Sequence, residues 1–405
     1  MKPITNFIFR LLLLFTLVDS INGFVYLTFG KNIGLSQFYK LCLIFMFLRY
    51  FVKEKQFSSL IIIASILLLS SLHVAILWFV EGDFISIVSE FRFSLILIFP
   101  IISYLFFKEN INLYFNKIRR IITVNFLVIV FNILIGITGL GKSQYDENIG
   151  SNGFFIAGNE LSGLILILSG FLLYYCWNHF RYRYVLFSLL LLFLALIKST
   201  KTAIFGEIIL ISIIPLLANQ SIFLYDFNRN QIIKRGLIIS VFSIGFLVIL
   251  IFNPVAKRWI EIFSNKDLTT AITSSRNIYL NHGIELVSEN FSNFNYLLGY
   301  GFGKFQNQMV DYVNLVHTIE IDFFDVLFSR GIIFTIFIYG FYFYVFLFSV
   351  SKISHKKVFV YSPLVVIMSM LLFLISVFAG HIITSGMCGL FLGLLFSLSH
   401  YEQKT

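Results

Sequence analysis

Residues 316–331, VHTIEIDFFDVLFSRG, place His317, Glu320, Asp322, Asp325 and Arg330 close together in a chain that is only 12% charged. On a helix, His317 and Glu320 are neighbours at i, i+3, and so are Asp322 and Asp325. Carboxylates beside an imidazole are the usual equipment of general acid–base chemistry, one group holding a proton that another releases. A plainer reading makes them a solvated rim, because acids at a helix N-terminus favour its dipole. Against that, Phe323-Phe324 and the apolar run that follows push these groups toward a membrane interface, where ionisable side chains are costly unless used.

Cations are scattered where hydropathy disfavours them. Lys198 and Lys201 flank a break in IKSTKTAIFGE (197–207), Arg92 sits near the end of an apolar block, and Lys40 lies within one. Arg276 opens SSRNIYLNHGIELVSE (274–289), for which Ser274 or Ser275 is the candidate N-cap. One snorkelling lysine is ordinary. Several cations at one side of separate helices suggest an anionic ligand there, and a lipid-linked pyrophosphate fits because Arg and Lys clamp its oxygens. In YLLGYGFGKF (296–305), Gly299, Gly301 and Gly303 alternate, which suits either a close approach to a ligand at Gly301 or a flexible turn. Glu160 and Glu207 stand near the starts of their apolar blocks, and His73 is read as a packing histidine. Cys42, Cys176 and Cys388 sit in apolar blocks as small packing residues. No cluster has metal-ligand spacing and no nucleotide-binding loop is present, so neither metal, cofactor nor ATP-driven chemistry is expected.

The elements that must position these groups follow from composition. At 58% hydrophobic with a mean hydropathy of +0.90, the chain lies far from the soluble range. Its apolar blocks have the length that crosses a hydrocarbon core as a helix. The expected fold is an all-α polytopic membrane protein with about twelve helices, at 7–28, 33–52, 58–79, 88–107, 121–140, 160–178, 183–198, 202–218, 236–253, 330–350, 358–379 and 382–399. The first block carries Asp19 and Asn22 and no small-residue cleavage site, so it is read as a span and not a signal peptide.

Orientation comes from Lys and Arg. With the N-terminus cytoplasmic, every inner loop is basic: Arg49, Lys53 and Lys55; Lys108, Lys117, Arg119 and Arg120; Arg181 and Arg183; Arg229, Lys234 and Arg235; Lys352, Lys356 and Lys357. The same segments hold few acids, which argues for an even number of spans with both termini inside. The net charge of +10 is therefore a topology signal, and nucleic acid is not an expected partner. The chain then divides into a membrane part at 1–253 with helices 1–9, a large extracytoplasmic loop at 254–329 with short helices, and a membrane part at 330–405 with helices 10–12 and a cytoplasmic tail.

Three stretches carry a resemblance. SSRNIYLNHGIELVSE with NYLLGYGFGKF, VHTIEIDFFDVLFSRGII, and IKSTKTAIFG are similar to segments of the O-antigen ligase/polymerase superfamily, most like its Wzy-type polymerases of bacterial surface polysaccharides. The resemblance implies an enzyme of the bacterial inner membrane. It would move a glycan from undecaprenyl pyrophosphate to a second lipid-linked repeat on the outer face, in an inverting, metal-independent transfer. It also implies His317, Glu320 and Asp322 as catalytic groups, and Arg276, Lys201, Lys198, Arg92, Asp325 and Gly301 as substrate contacts. Lys201 stands where relatives often have Arg, keeping the charge without the bidentate fork. Membrane lipids, a chain-length regulator and a flippase are the implied partners. Two alternatives stay open: a ligase of the same superfamily, and a lipid-oligosaccharide flippase. The gathering of ionisable groups at one side, with no internal repeat, argues against the flippase.

Overall fold

In the computed structural model the described residues are 3–31, 33–81, 84–145, 149–217, 254–265, 267–313, 318–354, 358–378 and 380–403. The expected ninth span at 236–253 and His317 lie outside them. The rest is almost wholly helical. Among the described residues five helices are long and apolar enough to cross a membrane, or six if the bent first pair is one span.

That first pair is α1 (Pro3–Leu13) and α2 (Phe15–Phe29), bent by 44° at Leu14 where one continuous span was expected. α2 buries Asp19, Ser20 and Asn22 inside the protein, so the polar interruption of the first block is an internal hydrogen-bonding seam. Ser20 Oγ donates to Asn132 Oδ1 at 2.6 Å, and the Thr16 hydroxyl donates to Asn125 Oδ1 at 2.8 Å. α3 (Leu35–Lys53) and α4 (Phe57–Glu81) follow.

The expected spans at 88–107 and 121–140 are joined in one helical run, α5 (Phe84–Ile137), whose backbone leaves the helix only at Tyr114 (φ −129°, ψ 24°). The two halves still fold back on each other. Phe9 touches both Phe106 and Tyr114, Phe15 lies on Phe99, and Thr16 bonds Asn125. A single non-helical residue makes the turn that a loop was expected to make. A short antiparallel hairpin, β1 (Lys142–Ser143) with β2 (Ser151–Gly153), leads to α6 (Gly158–His179), α7 (Arg181–Lys198) and α8 (Lys201–Leu217).

Residues 254–313 form five short helices: α9 (Pro254–Asn265), α10 (Leu268–Thr273), α11 (Arg276–Asn290), α12 (Asn293–Leu298) and α13 (Phe302–Val313). α11 and α13, together with residues 319–328, close on a small core that includes Leu286, Phe305, Met309, Ile319 and Phe328. The tenth expected span begins earlier than its apolar block. α14 runs Asp322–Ile353 and breaks at Gly331 (φ 73°, ψ 176°), so its acidic first turns form a separate piece. An added Cβ at Gly331 would lie 2.3 Å from Leu297 O, and one at Gly299 2.3 Å from Ser329 O. The two glycines let the 297–301 turn and the helix break touch backbone to backbone, a conformation and an approach that only glycine permits.

α14 exposes Ile336, Phe343, Tyr344 and Leu347, an apolar surface suited to hydrocarbon. After α15 (Ser362–Phe378) the expected last span at 382–399 is helical only from Cys388, as α16 (Cys388–Ser397) and a 3-10 turn to His400. Residues 380–387 are non-helical. α16 lies against α5: an added Cβ at Gly393 would be 1.8 Å from Ser103 Oγ, and Gly389 faces Pro100. Gly389 and Gly393, four apart, thus form a small-residue contact that lets the two backbones approach.

Candidate functional site

Non-helical backbone inside a helical bundle leaves amides without intrahelical acceptors, and these must be satisfied by other groups. Residues 380–387 meet that need with carboxylates. Asp322, wholly buried, takes His381 N on Oδ1 and Ile382 N and Ile383 N on Oδ2, all at 2.8 Å, and the Thr384 hydroxyl on Oδ1 at 2.5 Å. Glu160, from the first turn of α6, accepts from the Ser385 hydroxyl and, at 3.5 Å, from Met387 N. Asp322 therefore spends its lone pairs holding one segment in place.

Glu320 and Arg276 meet each other. Arg276 Nη2 donates to Glu320 Oε2 at 2.9 Å, and the other oxygen, Oε1, lies 3.3 Å from His381 Nε2. The result is a chain from Arg276 through Glu320 to His381. Its members are held on unusual backbone. Glu320 (φ 60°) and His381 (φ 61°) are left-handed non-glycine residues, and Arg276 follows the left-handed pair Ser274 and Ser275. Such conformations cost energy and persist where surrounding structure enforces them. The enforcing contact is close: an added Cβ at Gly380 would sit 2.1 Å from Glu320 O.

His381 lines a cavity of about 580 Å³ together with Arg92, Gln306, Thr318, Asp325 and Thr384. Asp325, also buried, takes Ile319 N on Oδ1 at 2.9 Å. Arg92 is exposed on this cavity and makes no ion pair among the described residues. Burial disfavours the imidazolium of His381, but the hydrogen bond and charge of Glu320, with the charges of Asp322 and Glu160, outweigh it and raise its pKa to about 9. It is a cation at neutral pH. On the other side of the same segment Ile382 and Ile383 line an apolar cavity of about 500 Å³, with Phe323, Tyr339 and Phe373. The stretch 381–384 is thus a partition between a polar and an apolar compartment.

The other expected contacts are distributed elsewhere. Lys201 Nζ donates to Ala271 O at 2.5 Å and to Ser274 Oγ at 3.1 Å, fastening the loop that presents Arg276. Lys198 is fully buried and donates to the side chains of Gln144 and Asn152 at the hairpin, not to the cavity. Gly301 (φ 95°) donates its N–H to Ser329 O at 3.1 Å, so its freedom serves the turn at the helix break.

Arg330, only a few residues from Asp325 and Asp322 in sequence, pairs with Glu90 of α5, with Nη2 to Oε2 at 2.8 Å. Both side chains are buried, and Glu90 Oε1 also accepts Gly303 N at 2.9 Å, tying α5, α13 and α14 together at the cavity wall. Lys40 bonds Asp19 at 3.0 Å. Glu90 and His381 were not anticipated from sequence. The signal for His381 was the accumulation of Gly380, Thr384, Ser385 and Gly386 around it, poor helix formers inside an apolar block.

Among the described residues no three His, Cys, Asp or Glu side chains converge as a metal site. No protein-family model and no curated protein matches this sequence.

Proposed function

We propose that the chain is a membrane glycosyltransferase that polymerises lipid-linked oligosaccharide repeats, transferring the growing glycan from a polyprenyl pyrophosphate to a hydroxyl of an acceptor repeat. The observation that carries this reading is the partition at 381–384, with Arg92, Asp325 and His381 on its polar side and an apolar cavity on the other. An amphiphile with an anionic headgroup needs both compartments at adjoining positions. Arg92, exposed on the polar cavity, serves as an electrostatic clamp for a departing pyrophosphate. Asp325 is the carboxylate of the cavity that is not consumed by the Arg276–Glu320 pair or by the amides of 381–384, which suits it to the acceptor hydroxyl. The topology that accompanies this reading has twelve spans, both termini cytoplasmic and residues 254–329 on the outer face of a bacterial plasma membrane, as the Lys and Arg bias favours.

The test is elongation by the purified full-length protein in liposomes supplied with a polyprenyl-pyrophosphate-linked repeat. The expected product is a ladder of lengthened glycans on the carrier, and Arg92→Ala should slow its formation by about 10- to 100-fold. Glycan that reaches only an added lipid A core acceptor would identify a ligase instead. Movement of the lipid-linked repeat across the bilayer without lengthening would identify a transporter.

A further inference from the structure

We infer that His381 is a catalytic residue of this transfer, hydrogen-bonding through Nδ1 to the oxygen that departs with the pyrophosphate. The inference rests on the transfer reading above and adds a residue and a role to it. Three features of the geometry converge on this imidazole. Its Nε2 is occupied by Glu320 Oε1 at 3.3 Å, which fixes the ring. Its Nδ1 makes no hydrogen bond among the described residues, and the ring lines the cavity that also holds Arg92 and Asp325. Its backbone is pinned from two sides, by the N–H to Asp322 Oδ1 and by the contact of Gly380 with Glu320 O. A histidine that served only packing would not require a left-handed backbone, a dedicated carboxylate and a guanidinium behind that carboxylate.

The ionisable groups facing it come from every neighbouring element. They are Glu320 ahead of α14, Asp322 and Asp325 within it, Glu160 of α6, Arg92 of α5, and Arg276 of α11 through Glu320. Burial works against the imidazolium, but the charges of Glu320, Asp322 and Glu160 outweigh it, consistent with a pKa raised to about 9. A cation is poorly suited to take a proton and well suited to give a hydrogen bond to developing negative charge. In the step, the C1–O bond of the donor sugar breaks and its electron pair goes to the phosphate oxygen, which His381 Nδ1–H meets. The acceptor hydroxyl oxygen forms the new bond to C1 and passes its proton to the Asp325 carboxylate, from which it leaves to water.

The experiment measures initial elongation rates of the full-length protein in liposomes on a polyprenyl-pyrophosphate-linked repeat between pH 6 and pH 10. Wild type should lose rate as pH rises through about 9, where the imidazolium is lost. His381→Asn, a residue that tolerates left-handed backbone, should be at least about a hundredfold slower and should lack that limb. Glu320→Gln removes the charge behind the imidazolium and should move the limb to lower pH, an effect that a packing role for His381 would not produce. His381→Asn elongating at the wild-type rate with the same limb would overturn the inference and leave the transfer reading intact. A limb unmoved in Glu320→Gln would also overturn it. Wild type that elongates at no pH would sink the transfer reading itself, and this inference with it.

Discussion

Asp322→Asn exchanges one oxygen for an NH2 group, and the structure says which contacts that disturbs. The carboxylate accepts three backbone amides at 2.8 Å and the Thr384 hydroxyl at 2.5 Å. If the remaining oxygen serves Ile382 N and Ile383 N, those two bonds become neutral, each weaker by about 1 kcal/mol. The NH2 then faces His381 N, donor against donor, and a buried amide left unpaired costs about 1–3 kcal/mol. The Thr384 hydroxyl can rotate to accept. Relief of the carboxylate's own burial cost offsets part of this, so the segment should lose about 2–4 kcal/mol.

Cys388 provides a local reporter, because its thiol is buried at the start of α16 and donates to Glu160 O at 3.4 Å. With Cys42 and Cys176 replaced by Ala, alkylation of Cys388 in detergent micelles should accelerate roughly 30- to 1,000-fold in Asp322→Asn, since each 1.4 kcal/mol is tenfold in the open population. Melting should fall by several degrees in parallel. If Asp322→Asn alkylates at the parental rate and melts at the same temperature, Asp322 is not the anchor of 380–387 and the argument built on it fails.

Glu90→Ala strands the buried guanidinium of Arg330 and should cost about 3–5 kcal/mol in thermal unfolding, whereas Glu90→Leu with Arg330→Met should recover most of it. Gly331→Ala should lower expression and melting temperature sharply, because its Cβ would meet Leu297 O at 2.3 Å; Gly340→Ala in the same helix, with nothing within 4 Å of the added Cβ, should be neutral. His381 binds its proton more tightly in the folded state, with a pKa of about 9 against an ordinary 6.5, so its contribution favours folding at low pH. That contribution is complete below about pH 6.5 and is lost as pH rises through about 9; His381→Asn should flatten this fall in melting temperature.

The apolar blocks, the break before Lys201 and the density of acids at 316–331 were legible because each is a local property of the sequence. Partners were not, because the decisive contacts join residues far apart. Arg330 sits within a few residues of Asp322 and Asp325, which made them the natural partners, yet its carboxylate comes from Glu90, 240 residues earlier in the chain. The donors to Asp322 were beyond reach for a deeper reason. They are main-chain amides of 381–383, and a main-chain amide leaves no mark on residue type. The block 382–399 counted as one helix because Ile382, Ile383 and the run after Cys388 raise its hydropathy enough to conceal a non-helical start.

The two oddities of this sequence are nevertheless one physical fact. A helix broken inside a bundle frees N–H groups that hydrocarbon cannot satisfy, and a carboxylate buried in a bundle is tolerable only where several donors converge on it. Asp322 and the 381–384 segment answer each other's need, and Glu160 does the same for Ser385 and Met387. Acids standing at the edge of an apolar helix, with no basic side chain at helical spacing, therefore point to non-helical backbone elsewhere in the membrane part. In this chain the search for it ends at Gly380, Thr384, Ser385 and Gly386, and that stretch brings His381 to the cavity wall.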